Sequence, residues 1–115
     1  MTDCIFCRIA SGEIPATIVR RSDEAVAFRD LDPRAPTHVL VIPTQHLEAV
    51  RDAASDEDRR LLGRLLAFTA EVASELGLDT GGYRIVTNTG PDAGQSVAHL
   101  HLHLLGGRRM SWPPG

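Results

Sequence analysis

The segment Gly94-Gln95-Ser96-Val97-Ala98-His99-Leu100-His101-Leu102-His103-Leu104-Leu105 decides the fold and places the chemistry. Its three histidines stand at every second position with leucine between them, and a period of two is the period of a β-strand. The pattern therefore predicts a strand that carries the imidazoles on one face, about 6.5–7 Å apart. The leucines then face a helix. Burying three imidazoles for packing alone would leave ring nitrogens without partners, so the pattern indicates a site of chemistry.

The composition is that of an ordinary globular domain. The chain has 115 residues, of which 43% are hydrophobic and 23% charged, and its net charge is −3. This charge gives no general attraction to nucleic acid or to an anionic membrane, and we expect neither as a partner. No apolar run has the length of a membrane span, and no secretory signal follows the early Asp3. We therefore expect one domain over residues 1–115 and a cytoplasmic location.

The rest of the chain predicts an α+β fold with an antiparallel sheet of about five strands, one long helix and a short N-terminal helix. Residues 17–20 and 25–28 indicate a hairpin, and further strands are expected at 38–43 and 83–87. Ser55 followed by three acids predicts the start of the long helix, which Gly77 ends. Its apolar positions are expected at Leu62, Leu65, Leu66, Thr69, Val72, Ala73 and Leu76.

Two kinds of chemistry are open to the histidine triplet. Two of the histidines could share a catalytic metal, but the third lies too far along a strand to join it, and no acid flanks the triplet as a general base. The alternative is a neutral imidazole that attacks phosphorus, assisted by a second imidazole. Gly94, Gln95 and Ser96, together with the amide of Asn88, supply groups that suit a phosphate oxygen. We favour the second interpretation.

With these motifs in view, the sequence resembles the Hint branch of the histidine triad (HIT) superfamily. The resemblance rests on the His-x-His-x-His pattern of residues 99–103 and runs almost from end to end. The further matching motifs are Phe28-Arg29-Asp30, Ala35-Pro36-Thr37-His38, Ile42-Pro43, Gly94-Gln95-Ser96-Val97 and Trp112-Pro113-Pro114-Gly115. The chain departs from the family pattern at Ala98 and Ser111, both on the side of the leaving group.

The resemblance implies a HIT-like fold and hydrolysis of purine nucleoside 5′-phosphoramidates through a nucleotidyl-histidine intermediate. His101 would be the nucleophile, His103 would contact the phosphate or the leaving amine, and His38 and His99 would orient the nucleophile. Asp30 would hold the ribose hydroxyls. The base pocket would consist of Ile5, Phe6, Ile9, Phe28 and Leu31, and the phosphate loop of Asn88, Gln95, Ser96 and Val97.

The same resemblance implies a homodimer with joined sheets, in which the tail carrying Trp112 reaches the partner's site. Two rival functions stay open: a dinucleoside polyphosphate hydrolase or nucleotidyl transferase of the same superfamily, and a nucleotide-binding interaction protein with incidental activity. No organic cofactor is expected.

Cys4 and Cys7 have three interpretations: a small buried pair, a redox pair, or two metal ligands. The redox interpretation requires a strand before the motif, and none can precede residue 4. His46 and His99 complete a Cys2His2 set of the kind that closes a tetrahedral zinc site, and bacterial members of the family show a similar pairing. We therefore predict structural zinc on Cys4, Cys7, His46 and His99.

Overall fold

A computed structural model describes residues 3–115, so the predicted domain 1–115 begins with two residues outside the described range. The elements in chain order are helix α1 (Ile5–Ala10), strands β1 (Ile18–Arg21), β2 (Ala25–Arg29) and β3 (Thr37–Pro43), a 3₁₀ turn (Val50–Asp52), helix α2 (Asp56–Glu75), and strands β4 (Tyr83–Val86) and β5 (Leu102–Gly106). The α+β prediction with five strands, one long helix and a short N-terminal helix is confirmed.

The five strands form one antiparallel sheet in the order β1-β2-β3-β5-β4. The hairpin β1–β2 forms one side of the sheet. After β3 the chain first supplies β4, the strand at the opposite edge, and β5 then inserts between β3 and β4. In the pairing of β3 with β5, Leu40 lies opposite His103 and His38 opposite Leu105. Within the described residues, neither helix has both the length and the apolar character needed to cross a bilayer.

The two faces of the sheet have different roles because successive side chains of a strand point in opposite directions. One face packs against α2. Its core includes Val39, Val41, Leu100, Leu102, Leu104, Leu65, Val72 and Ala73. The other face carries Phe28, Leu40 and Ile42, on which Phe6 and Ile9 of α1 pack. The functional histidines lie on this second face, opposite the long helix.

Helix α2 begins and ends as the sequence predicts, but its buried face is rotated. The Ser55 hydroxyl accepts a hydrogen bond from the Asp58 amide (3.0 Å) at the N-terminus, and Gly77 ends the helix with φ +75°. Leu66, predicted to be buried, is 50% exposed, whereas Leu61 and Phe68 are buried. One residue advances a helix by about 100°, so Leu65 and Leu66 cannot both face the sheet.

The prediction of one strand carrying all three histidines is wrong. Strand β5 begins at Leu102, so only His103 lies in it. The preceding chain makes other contacts: the Leu100 amide donates to the Leu47 carbonyl (2.6 Å), and the Thr87 hydroxyl donates to the His101 carbonyl (3.0 Å). The alternation still holds, because Leu100, Leu102 and Leu104 are buried in the core beneath α2.

Candidate functional site

His101 is buried immediately before the start of β5, and a backbone contact fixes its tautomer. Its Nδ1 lies 2.7 Å from the carbonyl oxygen of His99, which can only accept a hydrogen bond. We therefore assign the proton to Nδ1, which leaves the lone pair on Nε2. The ring of His101 also lines a mostly apolar pocket. An imidazole whose Nε2 lone pair faces a pocket is suited to nucleophilic attack.

His38 and His103 form a second imidazole pair on the same face. The Arg34 amide donates to Nδ1 of His38 (3.0 Å), so the proton of His38 is on Nε2. That Nε2 lies 2.9 Å from Nδ1 of His103 and donates to it, which places the proton of His103 on its own Nε2. His103 lines the pocket and thus offers an N–H donor beside the lone pair of His101.

The resemblance implied that His38 orients the nucleophile. In the structure its Nε2 contacts Nδ1 of His103. His99 does orient His101, but through its backbone carbonyl, because its side chain points towards the cysteines. The period-two pattern could not show this division, since it reports only which face a side chain occupies.

Burial keeps the imidazoles of His38 and His103 neutral. Loss of hydration lowers the pKa of His103 to about 4, and the positive charges of protonated His101 and His38 would oppose its protonation further. The pKa of His38 is lowered mainly by burial, and the Asp30 carboxylate, 3.4 Å from Nε2, opposes that shift only in part. His103 is therefore a neutral hydrogen-bond donor at pH 7 and not an imidazolium.

We predict that acid destabilises the fold partly through His103. The unfolded chain binds this proton near pH 6.5 and the folded chain only near pH 4, so the folded state holds fewer protons in that interval. The contribution is intact above pH 6.5 and decreases as the pH falls towards 4, by at most about 3 kcal/mol.

The check is chemical denaturation between pH 4 and 7. His103→Asn does not titrate but can still accept from His38, so its free energy of unfolding should fall less over this interval than that of the wild type. Equal pH dependence of the two proteins would contradict the prediction, because all other titrating groups are shared.

The pocket beside His101 and His103 has a volume of about 300 Å³. Its wall is mostly apolar, and the rings of Phe6 and Phe28 meet edge to face at 5.6 Å. Its lining includes nine of the residues predicted for nucleotide binding: Ile5, Phe6, Ile9, Phe28, Asp30, Leu31, Ser96, His101 and His103. A ligand with a flat apolar group and a polar end fits such a lining.

Four predicted contact residues do not line this pocket: Asn88, Gln95, Val97 and Trp112. The side chain of Gln95 instead accepts from the Gly90 amide (2.9 Å) and donates to the carbonyls of Glu48 (2.6 Å) and Val97 (3.1 Å). It therefore braces the loop that leads to the triplet. Gly94 in that loop has φ +79°, a conformation that the turn requires and that favours glycine, and no side chain of the described residues packs against it.

The pocket also has walls that sequence reasoning missed. They are Ile14, Pro15, Ala16, Thr17, Arg29 and Leu40. Leu40 alternates with His38 along β3, so the period of two could have identified it. Residues 14–17 form an irregular connection between α1 and β1, and no periodicity marks their position.

Cys4, Cys7, His46 and His99 converge on one point although they come from three parts of the chain: the start of α1, the segment after β3 and the segment before β5. Their ligand atoms all lie within 4.8 Å of one another. Nδ1 of His99 lies 3.1 Å from Nδ1 of His46 and 3.3 Å from Sγ of Cys4, and Sγ of Cys7 lies 3.3 Å from Nδ1 of His46. The edges of a tetrahedral zinc site are about 3.3 Å between nitrogens and about 3.6 Å between nitrogen and sulfur.

The surroundings of this cluster also suit a metal. Nε2 of His99 lies 2.9 Å from the carbonyl oxygen of Pro43 and donates to it, which leaves the lone pair of Nδ1 towards the cysteines. Burial lowers the pKa of His99, so the ring is neutral as a ligand must be. The Cys7 amide donates to Sγ of Cys4 (3.3 Å), a contact that stabilises a thiolate. The donor set therefore fits Zn²⁺.

Asp30, His38 and His103 also bring ligand atoms within 4.8 Å of one another. The two imidazole nitrogens that face each other there are joined by their own hydrogen bond. That bond accounts for their approach without a cation.

Comparison with known proteins agrees with this geometry. The model of the HIT domain family matches residues 11–110. An uncharacterized HIT-like protein of Synechococcus elongatus is 52% identical, over 98% of this chain and 97% of its own length. A 14 kDa zinc-binding protein of Brassica juncea is 49% identical, over 98% of this chain and its own full length of 100%. The crystal structure of a HIT family hydrolase from Legionella pneumophila superposes with a TM-score of 0.94 at 50% identity, over 98% of this chain and 100% of that one. The chain belongs to the HIT family.

Proposed function

We propose that the protein hydrolyses purine nucleoside 5′-phosphoramidates through a covalent intermediate on His101. The observation that carries the proposal is the tautomer of His101, whose Nδ1 is held by a carbonyl so that Nε2 keeps its lone pair at the pocket. A protein that only binds nucleotides has no need of a buried nucleophile set in this way. The HIT family hydrolase of Legionella pneumophila, which shares the fold, supports a hydrolytic function.

In the first half of the reaction, the pocket residues bind the nucleotide and His101 attacks it. The apolar wall around Phe6 and Phe28 receives the base, and the Asp30 carboxylate at the polar end accepts from the ribose hydroxyls. Nε2 of His101 attacks the α-phosphorus, and the bond from phosphorus to the amine nitrogen breaks as the amine takes up a proton from water. Nε2–H of His103 donates to a phosphoryl oxygen as charge develops there.

The second half of the reaction releases the nucleotide. A water molecule attacks the phosphorus, the bond to Nε2 of His101 breaks, and nucleoside 5′-monophosphate and a proton leave. The imidazole recovers its lone pair, because Nδ1 has kept its proton against the His99 carbonyl throughout. The net reaction consumes one water and yields the amine and the nucleotide.

The lining favours a phosphoramidate over a dinucleoside polyphosphate. Arg29 is the one arginine among the described residues that line the pocket, whereas a polyphosphate leaving group carries several negative charges. The test is to incubate the protein with a fluorogenic adenosine phosphoramidate and, separately, with a dinucleoside polyphosphate. Hydrolysis of the first supports the proposal. Hydrolysis of the second alone would establish the rival activity, and turnover of neither would leave a binding protein.

We further propose that Cys4, Cys7, His46 and His99 hold a structural zinc ion. The tetrahedral spacing of their ligand atoms supports this, as does the name of the zinc-binding relative from Brassica juncea. All four positions of such a site are filled by protein ligands, so the ion would stabilise the fold and would not activate water.

We also propose and predict a homodimer joined along β4. This strand is an edge of the sheet, and an unpaired edge is a template for a second copy. Trp112 in the adjacent tail is 82% exposed, which a tryptophan in a soluble protein rarely is unless a partner covers it. Sedimentation at micromolar concentration should show dimers. Deletion of residues 110–115 should change substrate preference and leave the fold intact, and a monomer at all concentrations would contradict the prediction.

A further inference from the structure

We infer that the Cys4–Cys7–His46–His99 centre sets nucleotide affinity and the orientation of the nucleophile, in addition to any contribution to stability. The inference rests on the proposed function, because it concerns how the pocket of that function is assembled. Two separate contacts lead from the centre to the pocket, one through α1 and one through His99.

The first contact is α1 itself. Ile5, Phe6 and Ile9 of this helix form one wall of the pocket. Cys4 caps the same helix, its Sγ accepting from the Cys7 amide, and Cys7 lies within it. The other two ligands, His46 and His99, belong to the chain that follows β3 and precedes β5. A metal bound by all four ligands would therefore hold α1, and with it this wall of the pocket, in place against the sheet.

Helix α1 is too short to keep its position without such bonds to the rest of the protein. It has six residues, and isolated helices shorter than about 12–15 residues are marginal in water. Phe6 and Ile9 anchor it in the core, but Ile5, which faces the pocket, is 47% exposed. Besides the ligand bonds, α1 is held by the burial of Phe6 and Ile9 and by peripheral contacts such as the hydrogen bond from Arg21 Nη1 to the Ala10 carbonyl (2.8 Å).

The second contact is His99. Its Nδ1 points to the cysteines, while its carbonyl oxygen holds Nδ1 of His101 at 2.7 Å. The ring of Phe6 also stands edge-on to His101, with centroids 5.1 Å apart. His99 thus belongs to the metal centre through its side chain and fixes the tautomer of His101 through its carbonyl oxygen.

The decisive variant is His46→Asn. His46 is exposed and does not line the nucleotide pocket, so it can alter nucleotide binding only through the centre. Ser55→Ala is the matched control: it removes the N-cap of α2, on the opposite face of the sheet, and so destabilises the protein without touching the centre. Both are compared with the zinc-loaded wild type and with wild type stripped by a chelator, at a temperature where circular dichroism shows every sample folded.

The measurements are zinc content, the dissociation constant of AMP by calorimetry, hydrogen exchange of the α1 amides, and the His101 tautomer by ¹⁵N NMR. If α1 is docked less than a tenth of the time without metal, the AMP dissociation constant rises at least about tenfold. We expect this rise in His46→Asn and in stripped wild type, with loss of α1 protection and of the Nδ1–H signature. Ser55→Ala should bind AMP as the wild type does.

The outcomes separate the two proposals. Equal AMP affinity and equal α1 protection with and without metal would overturn this inference and leave the proposed function standing. Failure of zinc-loaded wild type to bind AMP would overturn the proposed function, and the inference with it. A tenfold weakening in Ser55→Ala would also overturn the inference, because general destabilisation would then explain the effect.

Discussion

His101→Ala should lower kcat for phosphoramidate hydrolysis by at least about 10⁴-fold, the scale seen when an attacking group is removed from a catalytic unit. The substitution removes the imidazole whose Nδ1 is held by a backbone carbonyl and whose Nε2 lone pair is therefore free to attack. Nucleotide affinity should change little, because the apolar wall around Phe6 and Phe28 and the Asp30 carboxylate are untouched. Initial-rate assays measure kcat and calorimetry with AMP measures nucleotide affinity, so the loss of turnover can be told apart from a loss of binding.

His103→Ala is the comparison. It removes a hydrogen-bond donor and not the attacking atom, so its loss should be smaller, about 10²–10⁴-fold. In His101→Gly, added imidazole should restore part of the activity by entering the vacated space. A reaction quenched with substrate should show, by intact mass and peptide mapping, a nucleotidyl adduct on His101. An adduct on His103 or His99, or full activity in His101→Ala, would refute the mechanism.

The sequence was sufficient for the fold where local signals and the core agreed. The hairpin, the central strand and the ends of α2 follow from β-branched runs, prolines and caps, which act over a few residues. The apolar face of α2 was misplaced at Leu66 because several leucines follow one another and tertiary packing selects among them. Strand β5 is shorter than its pattern because the backbone before it bonds elsewhere: the Leu100 amide donates to the Leu47 carbonyl, a contact between residues far apart in the sequence.

For the site, too, the sequence predicts some features and not others. The family motifs identify many of the residues that line the pocket, among them Phe6, Phe28, Asp30 and Ser96. The motifs do not reveal tautomers, which depend on backbone groups such as the Arg34 amide and the His99 carbonyl. They also could not show that Gln95 is occupied by three backbone partners, since a side chain amide suits a phosphate and a carbonyl equally well.

Purified protein should contain one zinc ion per chain, and its removal should be the largest single loss of stability available without altering the core. With free zinc at 1,000 times its dissociation constant, bound metal stabilises the folded state by about 4 kcal/mol, which corresponds to a fall in Tm of the order of 15 °C on chelation. The four ligand atoms already lie at tetrahedral spacing, so little rearrangement opposes binding.

The control is the double variant Cys4→Ser, Cys7→Ser, whose Tm should be low and insensitive to chelator. Elemental analysis of protein purified without chelators, finding no zinc while both thiols react freely with a thiol reagent, would refute the metal site. The double variant also tests the physical cause. If the clustered imidazoles and sulfurs stabilised the fold through hydrogen bonds alone, chelator would leave the Tm of the wild type unchanged. Only a bound ion makes that Tm depend on the concentration of free zinc, because only a ligand that binds the folded state shifts unfolding by mass action.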